Sequence, residues 1–203
     1  MRLYGYRNGR TLRVLWALEE IEAGYEYVEV DIMQSEGQEP WFLQVNPTGK
    51  VPVLVDGELI IPESAAICMY LAEKYPHASL IPDIGTAARA QCYSCISFIL
   101  TEMDAPLWTI AKHRFALPKE KRVTAVIDTA IWEFQMAAAI FAEKLTESPF
   151  LIGSAFTVAD ILAGHTLLWA KSVRIELASS KLESYLEALL SREAAIRARR
   201  KTA

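Results

Sequence analysis

The chain has 203 residues, of which 52% are hydrophobic and 23% are charged, a composition that excludes disorder and allows one large or two small domains. The 21 basic residues against 25 acidic ones give a net charge of −4, which argues against a nucleic-acid-binding protein. Because the chain has no apolar run of about 18 residues, no signal-peptide pattern at its start and only three cysteines, we expect a reduced, cytoplasmic protein without membrane contact.

The first 76 residues alternate between strand-like and helix-like patterns. Short apolar runs bounded by turn residues predict strands, and apolar residues at helical spacing predict helices. The Asp56-Gly57 pair between two such strands predicts a β-hairpin. In chain order, the predicted elements are a strand at 2–6, a helix at 11–23, a strand at 27–31, a hairpin formed by 51–55 and 58–61, and a helix at 63–75.

Beyond Pro76 the pattern becomes helical throughout. Residues 77–85 are rich in proline and glycine and predict a linker. The sequence therefore indicates an α/β domain at 1–76 followed by an all-helical domain at 86–203. The predicted helices are 87–114, 123–145, 157–171 and 181–190, and the basic run at 192–201 is expected to be a solvated tail.

Two motifs in the first domain point to a ligand. Pro52 opens a strand, and if the Val51–Pro52 bond is cis, the Val51 N–H and C=O point outward, where an extended peptide can pair with them. An ordinary loop is the alternative. Glu63 and Ser64 then begin a helix, where backbone N–H groups and a hydroxyl suit a carboxylate and Glu63 suits an ammonium group. Simple helix capping is the alternative there. Together the two motifs favour a zwitterionic, peptide-like ligand.

Other reactive-looking residues favour structural roles. Thr157 and Asp160 form a capping box at a helix start, so Asp160 is interpreted as structural rather than catalytic. Cys92 and Cys95 fall inside a predicted helix and are expected to pack there rather than to form a redox pair. The histidines are scattered, so no metal site is predicted, and His165 is expected in the core.

In these motifs and in nearly its whole length, the chain resembles the glutathione transferase superfamily, of the bacterial cytosolic type and nearest to the beta- and theta-like classes. The resemblance is carried by Leu3-Tyr4, residues 11–14, Val51-Pro52, Glu63-Ser64 and the C-terminal helices. It implies a thioredoxin-like first domain that binds glutathione, an all-helical second domain and a symmetric homodimer. The implied partners are glutathione and a hydrophobic small molecule.

The resemblance also implies roles for single residues. Pro52 would be the cis-proline, the Val51 backbone would pair with the cysteinyl part of glutathione, and Lys50 would lie near its glycyl end. Glu63 and Ser64 would hold the γ-glutamyl amine and carboxylate. Helix 87–114 would line the dimer interface, with Glu102 and Asp104 at positions that contact glutathione across it. Spacing near one helix end suggests an electrophile pocket of Leu107, Trp108, Ala111 and Phe115.

The group that would activate the glutathione thiol is less evident. A free thiol has a pKa of about 8.5, so a donor near the sulfur is needed to favour the thiolate. The chain departs from related classes, since Asn8 or Gly9 stands where some have serine and Arg10 where others have cysteine. Thr11 is the predicted donor, supported by Asn8 and Arg10, and an N-cap without chemistry is the alternative. The other hydroxyls nearby belong to Tyr4 and Tyr6.

Two functions follow from this reading. The first is an enzyme of detoxification that joins the glutathione thiolate to a hydrophobic electrophile, or a glutathione-dependent peroxidase or dehalogenase. The second is a non-catalytic family member that binds glutathione or another ligand. Retention on immobilised glutathione without turnover of any electrophile would favour the second function.

Overall fold

A computed structural model describes residues 1–7, 9–177 and 179–201. The chain divides into two compact units, the first made of Met1–Ile81 with Ser191–Ala203 and the second of Pro82–Leu190. The domain limits 1–76 and 86–203 stay predictions. The division adds one feature that the sequence did not indicate, because the residues from Ser191 onward belong to the first unit.

The first unit is built on a sheet of β1 (Arg2–Gly5), β2 (Glu26–Glu29), β3 (Val53–Asp56) and β4 (Leu59–Pro62). β1 and β2 are parallel, as expected for strands joined by a helical crossover, while β3 is antiparallel to both β1 and β4. The order across the sheet is β2-β1-β3-β4. The predicted hairpin is confirmed, with Gly57 at φ 62° in its turn, and so is the thioredoxin-like arrangement.

Helices pack around this sheet, and the helix that follows β1 is buried. They are α1 (Thr11–Glu20), α2 (Pro40–Val45), α3 (Ser64–Lys74) and α9 (Glu193–Arg200), with 3₁₀ turns at Ile32–Gln34, Glu36–Gln38 and Pro76–Ala78. Both α3 and α9 pack against α1, and every residue of α1 from Thr11 to Leu18 is buried. Tyr4, Val30, Phe42 and Val53 form a further core cluster of the first unit.

The second unit is helical, as predicted. Its helices are α4 (Ala87–Phe98), α5 (Ala105–Ala111), α6 (Val126–Lys144), α7 (Val158–Ser172) and α8 (Ser180–Leu190). The predicted single helix 87–114 is interrupted, because Ile99–Asp104 and Lys112–Ala116 are π-helical. A 3₁₀ turn at Lys119–Lys121 and isolated bridges near Phe150 and Ile152 complete the unit's described elements.

The start of α7 confirms the structural role of Asp160. The Thr157 N–H and hydroxyl donate to Oδ2 of Asp160 at 2.8 and 2.9 Å, while the Leu151 N–H and the Tyr185 hydroxyl donate to Oδ1 at 2.9 and 2.7 Å. Burial raises the pKa of this carboxyl group, against the opposing effect of these hydrogen bonds. Both oxygens are engaged in holding the helix start.

The expectation of a solvated C-terminal tail is wrong. Arg192 donates two hydrogen bonds to the Glu20 carboxylate at 2.7 and 2.8 Å, and Arg197 donates to the Glu19 carboxylate at 2.9 Å. Lys201 adds an ion pair with Glu19 at 3.3 Å. The basic run is therefore the face of α9 that binds two acidic residues at the end of α1.

Candidate functional site

Three segments of the first unit meet at one end of its sheet. β1 and β4 both end there and β3 begins there, because β3 is antiparallel to each of them. The register places Val53 opposite both Tyr4 and Pro62. The turn into α1, the corner before β3 and the start of α3 are thus brought to the same edge, and they form the candidate site.

The corner before β3 has the predicted form. The Val51–Pro52 peptide bond is cis, Pro52 is buried and Val51 is half-buried. Among the residues that the structure describes, none is hydrogen-bonded to the Val51 N–H or C=O. Both groups are therefore available to an extended peptide, which could pair with them as an added strand.

The loop before this corner is held by Asn46, to which the sequence reasoning gave no role. Asn46 is 4% exposed, its side-chain amide donates to the Lys50 carbonyl at 2.7 Å, and its Oδ1 accepts from the Thr48 N–H at 3.2 Å. Gly49 has a φ of 66°, and a Cβ there would come within 2.7 Å of the Gly37 carbonyl oxygen, so only glycine fits. These contacts hold Lys50 at the surface beside Val51.

The start of α3 combines backbone strain with a helix N-terminus. Glu63 has φ 71° and ψ 110°, a conformation that costs a non-glycine residue about 1–3 kcal/mol and is concentrated at functional sites. Its side chain is exposed, whereas Ser64, the first residue of this 11-residue helix, is only 5% exposed. The N–H groups of such a helix start attract a carboxylate.

Arg13 lies behind Ser64, and the sequence reasoning did not select it. It is 0% exposed, and its Nη1 donates to the Ser64 Oγ at 3.3 Å. The Cys68 thiol donates to the Arg13 carbonyl at 3.5 Å, and burial raises the pKa of this thiol to about 12, so Cys68 is neutral. The signal in the sequence was a charged residue among the apolar positions of α1.

Thr11 begins α1 as predicted, but its hydroxyl is directed at β1. Its Oγ1 accepts from the Tyr6 N–H at 3.0 Å, and the residue is 1% exposed. A side chain this buried holds the turn and offers no surface to a ligand, so its contact with a thiol gains no support. Arg10, just before α1, is half-buried. Asn8 lies outside the described residues.

The carboxylates predicted to act across a dimer differ in exposure. Glu102 is exposed and accepts from the Thr101 hydroxyl at 3.0 Å. Asp104 is only 5% exposed, because residues two apart do not share a helix face. Glu102 is therefore the more accessible of the two, and a contact of either residue with glutathione across a dimer stays a prediction.

The predicted electrophile pocket also divides in two. Leu107 and Ala111 are 1% and 2% exposed and belong to the core of the helical unit, so their place in an electrophile pocket stays a prediction. Their four-residue spacing places them together on the inward face of α5. Trp108 is half-buried and Phe115 is 55% exposed, so these two aromatic residues remain accessible.

Other chemistry is not assembled in the described part of the chain. Within it, no three His, Cys, Asp or Glu side chains are placed to hold a metal, and no helix has the length and apolarity needed to cross a membrane. Cys92 and Cys95 lie in α4, where burial raises the pKa of both thiols. His165 is 5% exposed, which confirms its predicted place in the core.

Comparison with protein-family models decides the family. The model described as "Glutathione S-transferase, N-terminal domain" matches residues 1–73, and that described as "Glutathione S-transferase, C-terminal domain" matches residues 105–193. The chain belongs to the glutathione S-transferase family. The resemblance found in the sequence is thereby confirmed.

Relatives and solved structures of the family agree with this. The chain is 39% identical to glutathione S-transferase Z1 of Arabidopsis thaliana over 134 residues, which are 64% of this chain and 60% of that relative. It is 28% identical to the beta-class glutathione S-transferase of Sphingomonas chungbukensis (TM-score 0.87, covering 100% of this chain and 99% of that one). A sphingomonad glutathione S-transferase complexed with glutathione is also 28% identical (TM-score 0.86, covering 100% and 98%).

Proposed function

We propose that this chain is a glutathione transferase of the cytoplasm, which binds glutathione at the end of the first unit's sheet and transfers its thiolate to a hydrophobic electrophile. The observation that carries the proposal is the meeting of the Val51 backbone with the start of α3 at that edge. Glutathione has matching groups, because its cysteinyl peptide can pair with Val51, its γ-glutamyl carboxylate with Ser64 and its ammonium group with Glu63. The sphingomonad relative, solved with glutathione, supports this ligand.

Activation of the thiol is assigned to the turn into α1. A nearby cation and a helix N-terminus both favour a thiolate, so Arg10, with Asn8, is the proposed source of this effect. Thr11 holds the turn through the Tyr6 N–H. The thiol loses its proton to solvent, and the sulfur then forms a bond to an electrophilic carbon while the leaving group departs with its electron pair.

Of the predicted second-substrate and cross-subunit residues, three are kept in the proposal. Trp108 and Phe115 are accessible aromatic side chains that suit a hydrophobic electrophile. Glu102 is exposed and suits a contact with the glutathione of a second subunit. Asp104, Leu107 and Ala111 are buried and are not kept.

A binding protein without catalysis is the second candidate. The burial of Thr11 favours it, because the hydroxyl at the start of α1 is turned away from solvent. A glutathione-dependent peroxidase or dehalogenase would use the same thiolate on another electrophile. Turnover of chlorodinitrobenzene, a peroxide and a haloalkane by glutathione-retained protein separates these outcomes, and retention without any turnover favours the binding protein.

The site itself is tested by substitution. Ser64→Ala should weaken glutathione binding by about 1–2 kcal/mol, since it leaves a ligand carboxylate short of one donor, and Glu63→Ala with Ser64→Ala should weaken it further. Glu58→Ala is the matched control, because Glu58 is an exposed carboxylate in the hairpin turn at the opposite end of β3. Unchanged affinity in the double variant would show that the site lies elsewhere.

We also propose a symmetric homodimer that uses one face of the second unit. Trp132, Met136 and Ile140 follow each other every four residues along α6 and are 60%, 49% and 51% exposed. They border a groove of about 380 Å³ that Phe98 and Glu102 also line. An exposed apolar stripe of this kind marks an interaction site, and a second copy can cover it with the same surface.

A further inference from the structure

We propose that Arg13 is a positioning residue, which holds the Ser64 hydroxyl in the orientation that binds the ligand's α-carboxylate. The inference rests on the proposed glutathione site and adds a residue to its machinery. Arg13 is 0% exposed, so no ligand can touch its guanidinium group, and its Nη1 lies 3.3 Å from the Ser64 Oγ. Ser64 is therefore the contact through which we propose that Arg13 acts on a ligand.

The hydrogen-bond inventory of a hydroxyl explains the effect. A serine hydroxyl has one proton to donate and two lone pairs that accept. The guanidinium group only donates, so the bond from Arg13 occupies a lone pair of Ser64 and leaves the proton free to point elsewhere. A carboxylate at the start of α3 is the acceptor that this proton would meet, beside the N–H groups of the first helical turn.

The charge of Arg13 adds to the same effect. A cation that donates to the hydroxyl oxygen polarises the O–H bond, so the hydroxyl group becomes a stronger hydrogen-bond donor. This effect is more pronounced in a buried, low-dielectric surrounding. The surroundings of Arg13 are of that kind, since its neighbour Cys68 is 0% exposed and donates to the Arg13 carbonyl. The contact also spans 51 positions of the chain, joining α1 to α3.

The test measures discrimination between two ligands. One is glutathione, and the other is 4-aminobutyryl-cysteinyl-glycine, which lacks only the α-carboxylate of the γ-glutamyl residue. Calorimetry gives both dissociation constants, and their ratio reports recognition of the carboxylate. We expect wild-type protein to prefer glutathione about tenfold or more, and Arg13→Met to lose most of that preference. Arg2→Met, which removes an exposed arginine paired with Glu26, should keep the ratio unchanged.

A second substitution separates positioning from structural damage. If Arg13 acts through Ser64, then Ser64→Ala must also lower the ratio, and adding Arg13→Met to Ser64→Ala must lower it no further. A purely structural role for Arg13 predicts instead that Arg13→Met weakens the binding of both ligands equally. The ratio of dissociation constants would then stay unchanged, both in wild-type protein and in Ser64→Ala. That result would overturn the inference.

If Arg13→Met does not fold, Ser64→Ala still tests the inference. An unchanged ratio in that variant leaves Arg13 no route to the ligand through Ser64 and overturns the inference, whereas a lowered ratio supports it. Failure of the proposed function looks different, since wild-type protein would then bind neither ligand and both proposals would fall together. Wild-type binding with a ratio near one would overturn the inference while leaving glutathione binding intact.

Discussion

Single polar residues near the edge of the sheet hold backbone that a ligand would contact. Asn46 bonds the loop before Val51, Thr11 bonds the Tyr6 N–H, and Arg13 bonds Ser64. All three are almost fully buried. A buried polar group with partners stabilises one local geometry, whereas the same group without partners is costly, so each position restricts the shape of the site.

Thr11 gives the first prediction. Thr11→Val keeps the shape of the side chain but removes the acceptor of the Tyr6 N–H, and we expect a loss of about 1–2 kcal/mol in the free energy of unfolding. Urea unfolding measures this loss, and Thr11→Ser, which keeps the hydroxyl, should recover most of it. Turnover per folded molecule should stay close to wild type in both variants.

A loss of turnover without a loss of stability would support Thr11 as the donor to the glutathione thiol. If Thr11→Val unfolds at the wild-type urea concentration but loses ten- to a hundredfold in turnover, its hydroxyl acts on the thiol. The pKa of the thiol of bound glutathione is the second readout, since only a lost donor raises it. If Thr11→Val loses both stability and turnover, the Thr11 hydroxyl both stabilises the turn and acts on the thiol.

The site residues that could be predicted are those with a signal in the neighbouring sequence. A proline that opens a strand marks Val51 and Pro52, and a small polar residue that opens a helix marks Glu63 and Ser64. These signals can be recognised without knowledge of distant contacts. Arg13 is marked only by its charge among the apolar positions of α1, because its importance arises from a contact 51 residues away. A charged residue in a helix is also usually a solvated one.

At the scale of elements, regular helices and the hairpin were predictable and the π-helical segments were not. The Asp56-Gly57 turn and the Thr157 capping box are encoded by neighbouring residues. The segment Ile99–Asp104 is π-helical, so more residues fill each turn and every later side chain is rotated relative to a regular helix. The sequence carried no signal for this change of helical period within the predicted helix 87–114.

The start of α7 gives a prediction about helix capping. Asp160→Asn should cost about 2–4 kcal/mol of the free energy of unfolding, because both carboxylate oxygens accept from two donors. Either orientation of the amide would point an NH₂ group at donors such as the Thr157 N–H. Thermal or urea unfolding measures the loss, and Asp128→Asn is the control, since Asp128 is an exposed acid in the first turn of α6. Equal stability in both variants would contradict the assigned role.

The contact between α1 and α9 makes the first unit sensitive to acid. Burial raises the pKa of Glu19, but hydrogen bonds from Arg197, Tyr25 and Lys201 outweigh it, so the pKa lies below its ordinary value of 4.5. The folded state thus holds the ionised form more firmly than the unfolded state does. The resulting stabilisation is present above pH 4.5 and is lost as pH falls through the lower, folded-state pKa.

Glu19→Gln should therefore flatten the pH dependence of stability. We expect it to lower the free energy of unfolding by about 0.5–1 kcal/mol at pH 7 and to make little difference below the folded-state pKa. Urea unfolding from pH 3 to 7 gives the comparison. Glu58→Gln is the control, because Glu58 is an exposed carboxylate in the hairpin turn of the same unit, and an identical pH profile for Glu19→Gln and wild type would contradict the prediction.

At the scale of the whole molecule, the apolar stripe on α6 stays exposed in a single chain. Trp132, Met136 and Ile140 are each about half exposed or more, and neighbouring apolar side chains that form one exposed patch mark an interaction site. In a twofold dimer the same stripe would lie on both partners, so one substitution changes the interface twice.

Trp132→Glu should therefore convert the dimer to a folded monomer. Because Trp132 is 60% exposed, the substitution should leave the far-ultraviolet circular dichroism unchanged while placing two carboxylates against an apolar surface in the dimer. Sedimentation velocity at micromolar concentration should give about 45 kDa for wild type, twice the 22.7 kDa of one chain, and one chain for the variant. Ile84→Glu is the control, since Ile84 is 86% exposed before α4 and lies outside the residues that line the groove. A wild-type protein that sediments as one chain, or a Trp132→Glu variant that stays dimeric, would remove this face as the interface.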